Sequence, residues 1–192
     1  MASIVNMKPI DLTGQFVIAM PGLADPNFFQ TVIYVFSHNE SGAMGIIINR
    51  PLNIALGEVF SQINLPADDT NLSNLVVYDG GPVKTDCGFV VHKPGIQWKS
   101  SITVSKNIEV TTSRDILEAI SVGKGPEEFF IALGYTGWGA GQLEHEIMEN
   151  SWLNTPSDVE IIFNTPAQRR WEFSASVLSV NMHDISSQIG HA

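Results

Sequence analysis

Three stretches of the chain carry residue types whose spacing could do chemistry. The first is glycine-rich: Gly134, Gly137, Gly139 and Gly141 lie between an apolar run and a helical pattern. Free backbone amides at a helix N-terminus favour an anion. Yet the spacing is not that of a dinucleotide fingerprint, and no Walker lysine follows. Trp138 sits where a nucleotide loop wants a small residue, and Glu144 already answers the helix dipole. A tight strand-to-helix connection with close backbone packing is the expectation.

The second stretch is His145-Glu146-Ile147-Met148-Glu149, which has the outline of the zinc motif H-E-x-x-H with Glu149 in the last place. His145 and Glu149, four apart, share a helix face. One imidazole and one carboxylate do not close a zinc site. An exposed acidic face is expected, with no metal and no cofactor. The third is Cys87, between Asp86 and Gly88. An acidic neighbour disfavours the thiolate, so an inert buried thiol is expected. No G-x-S-x-G elbow is present. His38, His92 and His183 are scattered and read as hydrogen-bonded structural residues.

The elements that must position these groups follow from pattern. Residues 15–20 and 31–38 are apolar, β-branched and aromatic, as strands are. Asn39-Glu40-Ser41-Gly42 supplies turn chemistry, and 43–49 completes a hairpin closed by Pro51. The apolar spacing of 54–63 predicts a short amphipathic helix. Strands are expected at 75–78, 88–92, 102–104, 108–111 and 129–135. Ser113 is expected to cap a helix over 114–122, stopped by Gly123. A helix over 142–150, an extended piece at 152–155 and a helix from Pro166 to about 179 complete the chain. Residues 158–163 suit either a short helix or a strand. Hairpins early and helices late predict an α+β fold. One domain is expected over 1–180, with 181–192 a frayed tail.

Composition narrows the function. The chain has 192 residues, 20 of them acidic and 10 basic, for a net charge of −10. That sign opposes a phosphate backbone at long range, so direct nucleic-acid binding is not expected. The best basic stretch holds Lys84, Lys93, Lys99 and Lys106 against Asp86 alone, too thin for more than a solvated face. A single cysteine forbids an internal disulfide and fits a reducing compartment. With no signal peptide and no long apolar run, a cytoplasmic protein without a membrane span is expected.

Several stretches together resemble the AlgH (YqgE) family of bacterial proteins. They are 16–21 with Asp25-Pro26-Asn27-Phe28, Gly42-Ala43-Met44-Gly45 with Asn49-Arg50-Pro51, and Gly80-Gly81-Pro82-Val83 with 88–92. The most distinctive block runs through Gly137-Trp138-Gly139-Ala140-Gly141-Gln142-Leu143-Glu144 to Asn150-Ser151-Trp152-Leu153, followed by Phe163-Asn164-Thr165-Pro166 and Trp171. At Cys87 the family pattern has Arg, so a nucleophilic cysteine is no family trait. The resemblance implies a bent, bifurcated, mostly antiparallel sheet surrounded by helices. It brings the label of a transcriptional regulator of alginate production, but no DNA-binding motif and no established activity.

The family motifs supply a candidate ligand groove: Asp25, Asn27, Asn49, Arg50, Gln142 and Glu144, gathered at one end of the sheet. The competing expectation is that Asp25 and Asn49 satisfy turn backbones. No catalytic constellation can be assembled. The leading expectation is therefore a non-enzymatic binding or regulatory protein acting through a protein partner or a small ligand. The alternatives are an enzyme using Glu144, His145 or Asp25 as acid or base, and a nucleic-acid-associated regulator.

Overall fold

In the computed structural model, which describes residues 10–178, strands and helices segregate as an α+β fold. The expected tail at 181–192 and His183 lie outside the described residues. β1 (Gln15–Ala19), β2 (Val32–Asn39) and β3 (Gly42–Ile47) form an antiparallel meander, with β10 (Trp152–Pro156) added beside β1. The sheet continues from β3 through β9 (Phe129–Gly139), β6 (Val83–His92) and β8 (Ile108–Thr111) to β7 (Ser101–Ser105). β4 (Pro51–Ala55) and β5 (Val76–Asp79) pair off this path, β5 running parallel to β9. The sheet curls: a Cβ built on Gly14, just before β1, would lie 3.8 Å from the Val104 carbonyl in β7.

β2 shows why so continuous an apolar run makes a strand. Val32, Tyr34 and Phe36 enter one core and the alternate Ile33 and Val35 another. Period-two alternation thus serves a strand buried on both faces. The first core is closed by α5 (Val159–Phe163) and α6 (Ala167–Ser176), through Ile161, Ile162, Trp171 and Ala175. The Trp171 indole also donates to the Ala19 carbonyl at 2.9 Å, pinning α6 to β1. The second is covered by α4 (Gln142–Met148), which inserts Leu143. A third lies under α1 (Leu56–Gln62) and α3 (Arg114–Ser121), where Phe60, Ile116 and Ile120 meet Val77, Val90 and Ile131.

Several expectations are corrected. The glycine stretch is not a turn: β9 runs through Gly134 to Gly139, and only Ala140-Gly141 connects it to α4. The reason is steric. At Gly134 a Cβ would lie 2.4 Å from the Gly81 carbonyl oxygen, and at Gly42, the partner of Gly139, one would lie 2.1 Å from the Trp138 carbonyl oxygen. Residues 54 and 55 belong to β4, so the first helix starts later than its apolar spacing suggests. The polar loop after it contains α2 (Thr70–Ser73), capped by Asp69. Ser113 stands at the N-cap of α3, but its hydroxyl accepts the Ser100 N–H rather than capping. Residues 159–163 resolve as helix, with Asp158 as the N-cap whose carboxylate accepts the Glu160 N–H. Pro166 is the N-cap of α6, not its first residue.

Candidate functional site

The six residues expected to share a groove fall into two groups. Asn49 follows β3, and its amide oxygen accepts the Val32 N–H at 2.8 Å while its amide nitrogen donates to the Gln30 carbonyl at 2.8 Å. Arg50 donates to the carbonyls of Asn27, Pro26 and Phe29. The Asp25 carboxylate accepts the Asn27 N–H at 2.8 Å, an Asx turn. Asp25, Asn27, Asn49 and Arg50 therefore converge, and what they bind is the backbone of the 25–30 loop.

Gln142 and Glu144 lie at the other end of the same hairpin. Glu144 meets His38, near the end of β2, at 3.0 Å. Val32 and His38 are six residues apart on one strand, so the two groups stand about 20 Å apart at ~3.3 Å per residue. They do not form one groove. Gln142 accepts the Gly139 N–H at 2.9 Å and donates to Glu146 at 2.8 Å, closing the β9–α4 connection.

The His38–Glu144 pair borders a cavity of about 260 Å³ with Asp11 and Glu40. It has the composition of an acid–base dyad, which sequence reasoning placed at Glu144 without seeing His38. The imidazole, however, is fully committed. Its Nδ1 accepts the Leu12 N–H at 3.1 Å, which leaves Nε2–H to donate to Glu144. No ring nitrogen is left for a substrate. Nearby, Asp11 is held below the usual carboxylate range, first by the Thr13 N–H, then by its hydroxyl, with a smaller contribution from His38.

The other early candidates are superficial. His145 and Glu149 lie 3.3 Å apart on the outer face of α4, both mostly exposed. Among the described residues no three His, Cys, Asp or Glu side chains converge as a metal site. Cys87 is exposed, not buried, because β6 bulges between Val83 and Gly88 and turns that segment outward. Lys84, near the start of β6, and Lys93, just past its end, lie at opposite ends of the strand and do not share one patch.

The residue that sequence reasoning missed is Arg170. β5 pairs with β9 only at Tyr78–Ala132 and Asp79–Leu133. Towards their N-terminal ends the strands part and leave a cleft of about 360 Å³. Its walls include Leu75, Val76, Phe129 and Phe163, and Arg170 from α6 reaches into it. Arg170 is only 3 % exposed. Its Nε donates to Thr165 O at 2.9 Å and its Nη1 to Ile48 O. The guanidinium lies 5.3 Å from the Tyr78 ring centroid and 6.0 Å from that of Phe130. Burial pulls its pKa below the usual arginine range, and Tyr78 offsets part of that. One signal was available: Ala167, Arg170, Trp171, Ser174 and Ala175 follow the i, i+3, i+4 spacing of a buried helical stripe.

A family model described as AlgH-like matches residues 16–183. A UPF0301 protein of Thioalkalivibrio sulfidiphilus is 50% identical over 182 residues, covering 95% of this chain and 97% of that one. A UPF0301 protein of Ralstonia nicotianae is 50% identical over 184 residues, covering 96% and 97%. The solution structure of the AlgH protein from Pseudomonas aeruginosa matches with a TM-score of 0.80 and 45% identity, covering 96% of this chain and 98% of that one. A protein from Corynebacterium diphtheriae shares the fold, with a TM-score of 0.71 at 18% identity over 93% of each chain.

Proposed function

The chain belongs to the AlgH-like family, and on that premise we propose that it is a non-enzymatic binding protein that takes a small ligand in the cleft between β5 and β9. The observation that carries this reading is the cleft itself. It is open to solvent past Leu75 and Val76, mostly apolar along its walls apart from Asn74 and Tyr78, and holds a buried guanidinium. A few polar groups in a largely apolar cavity of about 300–1,000 Å³ is the usual form of a ligand site. The reading takes the sheet as the bent, bifurcated sheet of the family, with the cleft at its fork. It takes the protein as cytoplasmic, on the strength of its one free thiol.

The state of His38 supports a binder over an acid–base enzyme, since both ring nitrogens are already engaged. The scattered lysines give no support to a nucleic-acid role. Native mass spectrometry of untagged protein, purified gently from bacterial cells, tests the reading. Wild-type protein should carry a small-molecule mass excess that denaturation removes. Val76→Trp, which fills the mouth, should come out bare. A bare wild-type protein that also takes up no apolar probe would overturn the reading and leave a protein partner as the better account.

A further inference from the structure

Among the described residues, Arg170 is a charge without a counter-charge. No carboxylate lies within ion-pair range of it among the described residues. No acidic side chain among the described residues lines the cleft. Buried ions are ordinarily paired, because leaving water is costly for a charge. Two backbone carbonyls and two ring faces supply only part of what water would give. A neutral donor could have held Ile48 and Thr165 without that cost. The remaining electrostatic demand points into the cleft.

The donor count says what would meet it. A guanidinium has five N–H donors in a fixed fork. Nε spends its one on Thr165, and Nη1 spends one of its two on Ile48. Of the three donors left on Nη1 and Nη2, the Tyr78 hydroxyl takes one, and two remain for a ligand. Those two nitrogens form the edge that a carboxylate engages with both oxygens. A doubly charged phosphate would call for a second cation, and no lysine or other arginine among the described residues lines the cleft. Beyond the guanidinium the walls are mostly hydrocarbon and aromatic, from Leu75 and Val76 to Phe163, with Asn74 and Tyr78 as the polar residues.

We propose that the cleft binds a monocarboxylate with an apolar body, its head on the Nη1–Nη2 edge of Arg170 and its body between β5 and the start of β9. This rests on the reading that the cleft holds a ligand, and the test separates the two. Titration calorimetry on the full chain, below micellar concentrations, compares decanoate, decanol, decylammonium and acetate. Decanoate should bind at least about tenfold more tightly than decanol, and acetate should show no measurable heat. Arg170→Met should bring decanoate down to the level of decanol.

Arg170 also holds two carbonyls, so that variant can fail to fold. Val76→Glu then decides. Its side chain is at the mouth and 47 % exposed, so the fold tolerates it. It should weaken decanoate by about tenfold and strengthen decylammonium. Decanol binding as tightly as decanoate would overturn the carboxylate assignment while leaving the cleft a ligand site. Binding of neither would overturn both. Decanoate binding that neither variant changes would place the site elsewhere and overturn the proposal.

Discussion

One carboxylate oxygen of Glu146 accepts the indole N–H of both Trp138 and Trp152, at 3.0 and 2.7 Å. The two rings meet edge to face, 5.9 Å apart at 82°. The other oxygen accepts from Gln142 at 2.8 Å. One side chain on α4 thus ties β9 to β10 across the second core. Glu146→Ala would strand two indole donors, each costing about 1–3 kcal/mol when buried unpaired. A loss of about 2–4 kcal/mol in urea unfolding is expected, with Glu146→Gln losing less. A loss below about 0.5 kcal/mol would show that the node is incidental.

Asn49 is expected to matter for stability rather than for ligand binding. Val32 is fully buried, and its N–H has the Asn49 amide oxygen as acceptor. Asn49→Ala leaves that donor unmet and frees the Gln30 carbonyl, for a loss of about 1–3 kcal/mol. Limited proteolysis should show earlier cutting near residues 25–30. A variant as stable and protease-resistant as wild type would favour a ligand role instead.

How far the sequence carries depends on the residue. The run at 31–38 was legible because a strand buried on both faces is apolar at nearly every position. Its partner after the Asn39–Gly42 turn followed from proximity. Glycines 134 to 139 misled, because local chemistry says turn where the chain continues as a strand, and at Gly134 the need is close approach to the Gly81 backbone. The Asn49 and Glu144 groups were both found, but their separation depends on where α4 lands, and that is a long-range contact. Arg170 stayed hidden because a charged helical residue reads as solvent-facing. Only its phase with Trp171 and Ser174 betrays it, and only the packed structure shows that no described carboxylate neutralises it.

Gly80 and Gly88 give a matched pair. The Gly80 N–H donates to Leu133 O at 2.8 Å, and this contact presses the turn onto β9. A Cβ there would lie 2.2 Å from the Gly134 carbonyl oxygen, whereas one at Gly88 meets nothing within 4 Å. Neither residue has a positive φ, so the comparison isolates space from backbone strain. Gly80→Ala should cost about 3 kcal/mol, the upper end for overpacking, because the obstacle is backbone and cannot rotate away. Gly88→Ala should stay within about 0.5 kcal/mol of wild type. Equal midpoints in urea would mean that the β5–β6 turn yields.

The pH dependence of stability has two limbs of opposite sign. Burial works to raise the Asp115 carboxyl. Donors outweigh it, the Ser113 hydroxyl and the Lys99 and Ile116 N–H groups, and hold it below the usual carboxylate range. Asp11 is lowered as well, through Thr13. A lowered folded pKa gives stability that is present above the unfolded value, near 3.8, and lost as pH falls through the folded one. On the alkaline side, burial pushes Tyr34 up to about 12, although Ser105 and Ser157 act to lower it. Ionised tyrosine is therefore favoured by unfolding. That contribution is intact below pH 10.0, the ordinary value, and declines as pH rises towards 12. Spectrophotometric titration should show one of the three tyrosines ionising late, in step with loss of structure. Tyr34→Phe should remove that late step and flatten the alkaline limb, while Asp115→Asn should flatten only the acid limb. A Tyr34 that titrates near pH 10.0 in the folded protein would mean that the first core admits water at that ring.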